Sequence, residues 1–115
     1  QCMSAGVDYT YKFNNSFLST INTPDEADYA VEAATKVVGA ERVNGACQPF
    51  TISEDFSFML REAKGCYILV GNGVGNGVGE CGGTALHKPQ YDFNDNIIKD
   101  GISFWMALAE QQLSI

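Results

Sequence analysis

The sequence holds one continuous apolar run between glycines, Gly65-Cys66-Tyr67-Ile68-Leu69-Val70-Gly71. A short run without polar alternation predicts a strand that is covered on both faces, as in a sheet flanked by helices. Upstream, residues 7–13 alternate between apolar and polar side chains (Val-Asp-Tyr-Thr-Tyr-Lys-Phe), which predicts a half-buried strand with one wet face. The two runs therefore predict one central strand and one strand of an edge type.

Two helices are predicted between these strands. The first follows Thr23, which is a suitable cap, with Glu26 completing a capping box and Gly39 as a stop. Its apolar stripe consists of Ala27, Ala30, Val31, Ala34, Val37 and Val38. The second is shorter, with Ser53 as its cap and Gly65 as its end.

A third helix is predicted from about residue 96 to residue 112, with Asn94 as its cap. Its apolar stripe consists of Ile98, Ile102, Trp105, Ala109 and Leu113. The order strand, helix, helix, strand, loop, helix indicates an α/β or α+β fold. Two strands are too few for a typical sheet of about five or six strands, so we expect the chain to be a fragment of a larger domain.

Composition excludes several functions. The 115 residues carry a net charge of −7 and contain no Lys/Arg cluster, which argues against nucleic-acid binding. No apolar run is long enough for a membrane helix, so no membrane partner is expected. The four cysteines contain no Cys-x-x-Cys pair, which gives no support for a structural zinc cluster. Reduced thiols in a cytoplasmic protein are the simplest interpretation.

The glycine-rich segment from Gly71 to Gly83 repeats Gly-Asn-Gly-Val, and Gly77, Gly79 and Gly82 match a G-x-G-x-x-G spacing. A dinucleotide site would need a helix to begin inside this loop, and a phosphate-binding loop would need Gly-Lys-Ser/Thr. Neither feature is present in the sequence. A flexible insertion that grew by a four-residue duplication explains the segment better than a nucleotide site.

His87 is the only histidine, and it lies on a loop that Pro89 keeps out of a helix. A histidine beyond a buried strand lies where sheet enzymes place their sites, but one imidazole does not make a metal site, so a surface histidine is the simpler interpretation of the residues alone. Asp92 and Asp95 are candidate ligands or turn and cap residues. The adjacent Glu54 and Asp55 suit acid–base chemistry or, more simply, a helix N-terminus.

Three segments together resemble a known family. Ser53-Glu54-Asp55-Phe56-Ser57-Phe58-Met59-Leu60 resembles its G-[SA]-E-D-F-[SA]-x-x-[LM] segment, and residues 65–73 resemble its P-G-x-x-x-x-L-G strand. Leu86-His87-Lys88-Pro89-Gln90-Tyr91-Asp92-Phe93-Asn94-Asp95 resembles its L-H-x-P-x-Y-D-F-N-D signature. All three occur in the family's order. The chain is thereby similar to the metal-dependent aminoacylases and amidohydrolases that include hippurate hydrolases and auxin-conjugate hydrolases.

The resemblance implies a zinc-peptidase-like catalytic domain with a smaller lid domain that mediates homodimer formation. On this template, residues 1–20 end the lid domain and residues 21–115 form the C-terminal part of the catalytic domain. His87 falls on the family's last metal ligand, for one of two Zn²⁺ or Mn²⁺ ions. Glu54, Asp55, Asp92 and Asp95 then neighbour or support the site. Ile52 departs from the family's usual glycine, and the loop after Gly71 is longer than usual.

The implied activity is hydrolysis of the amide bond of small N-acyl or N-aroyl amino acids, through a metal-activated water. The family's other ligands, a Cys-x-His pair, a glutamate and a further histidine, have no counterpart here, so this chain alone is expected to be inactive. The alternative is a non-catalytic association module or a truncated gene product.

Overall fold

The computed structural model describes residues 1–77 and 80–113. It contains three α-helices, which are α1 (Pro24–Val38), α2 (Phe56–Glu62) and α3 (Ile98–Leu113). Single 3₁₀ turns occur at Met3–Ala5, at Ala40–Arg42 and at Asp95–Ile97, the last leading directly into α3. None of the helices in this part of the chain is long and apolar enough to cross a membrane.

The ends of α1 follow from local chemistry. Pro24 occupies the first helical position, and the helix stops at Gly39, whose φ of 86° suits a residue without a Cβ. The predicted start and stop are confirmed. The predicted capping box is wrong, because the Thr23 side chain makes no capping hydrogen bond and instead bonds to Gly65. The second helix also begins later than predicted, since Asp55, and not Ser53, occupies its cap position.

The core lies where α1 and α3 pack together. Ala30 and Ala33 of α1 and Phe104 of α3 are buried, and the partly buried Ala34, Cys66, Ala107 and Leu108 surround them. Small side chains on α1 let the two helices approach closely. A hydrogen bond from Gln111 of α3 to Glu32 of α1 (2.9 Å) adds to this contact, and Arg42 of the 3₁₀ turn after α1 bonds to Asp100 of α3 (3.5 Å).

The predicted inward face of α3 is wrong in this structure. The side chains that contact α1 are those around Phe104, whereas Ile102 and Trp105 of the predicted stripe are 57% and 66% exposed. The physical reason is that α3 is apolar on more than one side, so periodicity alone could not select the side that contacts α1. A second apolar face of α3 therefore lies uncovered; it consists of Ile98, Ile102, Trp105 and Leu113.

The predicted strands are also absent: residues 1–77 and 80–113 contain no β-strand. A strand requires a backbone ladder with a neighbour, and neither residues 7–13 nor residues 66–70 find one here. Both segments expose apolar side chains, including Tyr11 at 76% and Val70 at 59%. The division at residue 20 remains a prediction, since residues 7–20 form no regular element.

The dimensions of the molecule agree with a small core. The Cα radius of gyration is 19.6 Å, with principal extents of 67 × 39 × 21 Å. A compact domain of this length has a radius of gyration of about 13 Å. The helices α1 and α3 thus form one small packed centre, from which the other segments extend.

Candidate functional site

Two side chains before and at the start of α1 hold the segment that follows α2. The Asn22 amide bonds to both backbone groups of Tyr67, donating to its carbonyl oxygen (2.9 Å) and accepting from its N–H (2.8 Å). The Thr23 hydroxyl does the same at Gly65, with distances of 2.8 and 2.7 Å. These side chains thereby supply the hydrogen bonds that a neighbouring strand would otherwise provide.

Tyr67 connects this segment to the predicted acidic pair. Its hydroxyl donates to Oε2 of Glu54 over 2.7 Å, and its ring centroid lies 5.6 Å from that of Phe56. The Asp55 N–H donates to the other oxygen of Glu54 over 3.2 Å. Both oxygens of the Glu54 carboxylate are therefore engaged.

The hydrogen bond between Tyr67 and Glu54 shifts the pKa values of these two residues in opposite directions. The Tyr67 hydroxyl lowers the pKa of Glu54 below its ordinary value of 4.5, and a hydrogen bond with Asp55 acts in the same direction. The same bond raises the pKa of Tyr67 above 10.0, because loss of the phenolic proton would place two negative charges together. At neutral pH, the pair is thus a phenol that donates to a carboxylate.

A second asparagine holds the segment around Asp92. Nδ2 of Asn72 donates to the carbonyl oxygen of Asp92 (2.7 Å), and its Oδ1 accepts from the N–H of Asn94 (2.8 Å). Asn94 in turn caps the 3₁₀ turn before α3, accepting from the N–H of Asn96 (3.2 Å). The predicted cap is confirmed, and the start of the glycine-rich loop is tied to the entry of α3.

The described part of the glycine-rich loop is a closed turn. The N–H of Gly75 donates to the carbonyl oxygen of Cys81 (2.9 Å), and the N–H of Glu80 donates to the carbonyl oxygen of Gly77 (3.2 Å). Gly73, with φ 134°, lies so close to the Cys81 carbonyl that a Cβ would collide with it. No helix begins between Gly71 and the turn at residue 95 in the described part of the loop, which is contrary to a dinucleotide site. Gly79 of the G-x-G-x-x-G spacing, and Val78 of the repeat, lie outside the described residues.

His87 lies on the exposed loop between the glycine-rich segment and α3. It is exposed, and its φ of 66° makes it the one described residue other than glycine with a positive φ. A positive φ is uncommon for a residue with a Cβ and is found more often at functional sites than elsewhere. The turn after His87 is closed by a backbone hydrogen bond, in which the N–H of Tyr91 donates to the carbonyl oxygen of Lys88 (2.9 Å).

The structure joins some of the predicted site residues and separates others. Glu54 and Asp55 lie together beside Tyr67, and Asp92 is held through its backbone by Asn72. Asp95 begins the 3₁₀ turn before α3. Within residues 1–77 and 80–113, no three His, Cys, Asp or Glu side chains form a group that could hold a metal ion. The donors present therefore do not fit a complete metal site, since one imidazole does not hold Zn²⁺.

Sequence reasoning missed Asn22, Tyr67 and Asn72. The contact of Asn22 spans 45 residues and that of Asn72 spans 20, so no periodic or local pattern announces them. The one available signal was that each asparagine borders a predicted element.

A groove of about 270 Å³ runs between α1 and α3 beside the segment after α2. Its walls include Glu26, Ala30, Cys66, Phe104 and Trp105. Burial, with a smaller effect of the Glu26 charge, raises the pKa of the Cys66 thiol. All four cysteines lie in the described part of the chain and are free.

Comparison with known proteins gives a consistent answer. A hippurate hydrolase of Campylobacter jejuni subsp. jejuni is 27% identical over 108 residues, which are 92% of this chain and 26% of that protein. The chain thus spans about a quarter of the length of this relative. No solved structure matches the chain.

The family model of Peptidase family M20/M25/M40 matches residues 5–111. This family consists of hydrolases, generally uses divalent metals and implies a zinc-peptidase-like fold. The match covers nearly the whole sequence and includes all three segments on which the resemblance was based. The chain belongs to Peptidase family M20/M25/M40.

Proposed function

We propose that this chain forms the C-terminal part of the catalytic domain of a two-metal amidohydrolase that cleaves N-acyl or N-aroyl amino acids. The observation that carries the proposal is the family match over residues 5–111, together with the similarity to a hippurate hydrolase along 92% of the chain. Hippurate, which is N-benzoylglycine, represents the substrate class. The remainder of the natural polypeptide would supply the rest of the site.

His87 is the residue that we assign to metal binding. It lies within the matched range, and its exposed imidazole stands on a loop with an unusual backbone conformation. When bound, the metal would polarise the amide carbonyl or activate water. Within this chain, the contribution of His87 would be one nitrogen donor, with the other donors arising from residues outside it.

Glu54, Asp55, Asp92 and Asp95 would support the site without binding metal. Glu54 is engaged by a phenol and a backbone N–H, so it offers a fixed negative charge. The Asn72 side chain bonds to the Asp92 carbonyl oxygen and to the Asn94 N–H, and we call these two bonds the Asn72 clamp. The Asn72 clamp restrains the loop between His87 and α3. Asp92 and Asp95 would hold this loop or orient the imidazole.

The uncovered apolar surfaces agree with a role as part of a larger domain. Trp105 on α3 and Leu69 in the predicted central strand are 66% and 54% exposed. Soluble monomers rarely leave large contiguous apolar patches in water. We infer that further polypeptide covers these groups, with residues 66–70 joining a sheet. Residues 1–20 would then end a lid domain that forms a cytoplasmic homodimer.

A second candidate, a non-catalytic association module, is favoured by the same exposed groups. Residues 7–13 carry exposed aromatic side chains and backbone groups without a strand partner, so another chain could pair with them. Metal titration by calorimetry on the 115-residue chain separates the two candidates. The amidohydrolase proposal expects no tight stoichiometric binding, because the chain provides too few donors.

The decisive experiment replaces His87 by Ala in the natural polypeptide that contains this chain. We call that polypeptide, at its full length, the natural-length polypeptide. We expect loss of bound metal and a fall in hippurate hydrolysis of at least about 100-fold, since even supporting residues of metal sites contribute about 10- to 100-fold. Lys88→Ala, on the same exposed loop, is the matched control and should retain both. Unchanged metal content and turnover in His87→Ala would refute the assignment.

A further inference from the structure

We propose that Tyr67 is a positioning residue whose hydroxyl fixes the Glu54 carboxylate at the start of α2. The proposal rests on the proposed function only in that Glu54 lies beside the catalytic site. Tyr67 itself belongs to the apolar run, where an aromatic side chain needs no role beyond packing. Its hydroxyl nevertheless makes a 2.7 Å bond to Oε2 of Glu54, 13 residues earlier in the chain.

Both partners of this bond are anchored independently of it. The Tyr67 backbone is held on both polar groups by the Asn22 amide, and its ring packs at 5.6 Å against Phe56. On the other side, the Ser57 hydroxyl donates to the Glu54 carbonyl oxygen over 2.8 Å, and Ser57 is 1% exposed. Because these anchors already fix the Tyr67 ring and the Glu54 backbone, the Glu54 side chain is the main group that the bond must still order.

The hydrogen bond between Tyr67 and Glu54 holds the Glu54 carboxylate in one position. A glutamate with a free side chain samples several rotamers and spreads its charge over a wide volume. Here one carboxylate oxygen meets a phenol and the other meets the Asp55 N–H, so that the charge is confined to one location. The titratable groups that act on the pair are Glu54, Tyr67 and Asp55. Such a fixed charge can orient a neighbouring cationic or hydrogen-bonding group without itself touching substrate.

The test measures the pair directly in the natural-length polypeptide by ¹³C NMR titration of labelled Glu and Tyr side chains. Tyr67→Phe removes one oxygen and keeps the ring contact with Phe56. We expect the pKa of Glu54 to rise towards its ordinary value, because the donor that stabilises the ionised form is gone. Tyr11→Phe, which alters a tyrosine that is 76% exposed, is the matched control and should leave Glu54 unchanged.

The reciprocal variant protects the test against a folding failure. Glu54→Gln should lower the pKa of Tyr67 towards its ordinary value, because the carboxylate that opposes loss of the phenolic proton is removed. The proposal is overturned if Glu54 does not respond to Tyr67→Phe, or, where that variant does not fold, if Tyr67 does not respond to Glu54→Gln. Hydrolysis of hippurate is measured in parallel. Absence of hydrolysis of every member of a panel of N-acyl and N-aroyl amino acids, hippurate included, by the unmodified polypeptide would contradict the proposed function, whereas the two titrations would still decide the role of Tyr67.

Discussion

Thr23 illustrates how one side chain can be drawn away from its local role. Its hydroxyl is placed to cap α1, yet it accepts from the Gly65 N–H (2.7 Å) and donates to the Gly65 carbonyl (2.8 Å). The helix tolerates the missing cap because Pro24 needs no partner for a backbone N–H and Asp25 and Glu26 complement the helix dipole. The long-range bonds therefore outweigh the local one.

Replacing Thr23 by Val tests this account. Val keeps the shape of the side chain but leaves the half-buried Gly65 N–H without its acceptor, so the free energy of unfolding should fall by roughly 1–2 kcal/mol. Urea unfolding of the natural-length polypeptide measures the change. Thr10→Val, at an exposed position, is the matched control and should have almost no effect. Equal stability of the two variants would mean that the Thr23–Gly65 bonds contribute nothing.

At the residue scale, the motifs predict Glu54, Asp55 and His87 as site residues, but they do not predict the Tyr67 hydroxyl that bonds to Glu54. The carboxylates were visible because they are adjacent in the sequence and precede a helix. Nothing in the sequence singles out Tyr67, since an aromatic residue in an apolar run has no polar signature. Its bond to Glu54 depends on how the loop after α2 returns, which only the three-dimensional structure shows.

At the element scale, helices and strands differed in how well they were predicted. The start and end of α1 are set by Pro24 and Gly39 through local backbone chemistry, so sequence sufficed. Residues 66–70 could form a strand only beside a second strand, and the described part of the chain contains none. The apolar run was therefore not enough to form a strand. The side chains of Asn22 and Thr23 take the place of that partner along one edge.

The Asn72 clamp is the element-scale feature most closely tied to the proposed site. Asn72→Ala removes both its bond to Asp92 and its acceptor for the Asn94 N–H. We expect faster hydrogen exchange at the Asn94 amide, measured by NMR on the natural-length polypeptide, because that N–H then opens to water. Bound metal should also decrease as the loop after His87 loosens.

Asn76 provides the matched control, because it lies in the same loop and its side chain is exposed. Asn76→Ala should leave exchange at Asn94 unchanged. If Asn72→Ala and Asn76→Ala gave the same exchange rate as the unmodified protein, the clamp would be a contact without consequence for this loop.

At the scale of the whole molecule, the apolar surface is too large for the core beneath it. The buried apolar residues are Ala30, Ala33 and Phe104, and the radius of gyration is 19.6 Å, against about 13 Å for a compact domain of this length. The second apolar face of α3 has the composition of a buried surface, but no described residue covers it. The apolar composition of this face is the reason why the sequence predicts that it points inward.

Trp105 is the residue at which further polypeptide can be detected. It is 66% exposed here and lines the groove between α1 and α3. If the rest of the natural-length polypeptide covers this face, Trp105→Ala should lower the free energy of unfolding by about 3–5 kcal/mol there. In the 115-residue chain alone, where the side chain is largely in water, the same change should have a much smaller effect. Lys99→Ala, at an exposed polar position of the same helix, is the control and should have little effect in both contexts. A small effect of Trp105→Ala in the natural-length polypeptide would show that this face stays open, which would favour the association module over the buried wall of a hydrolase.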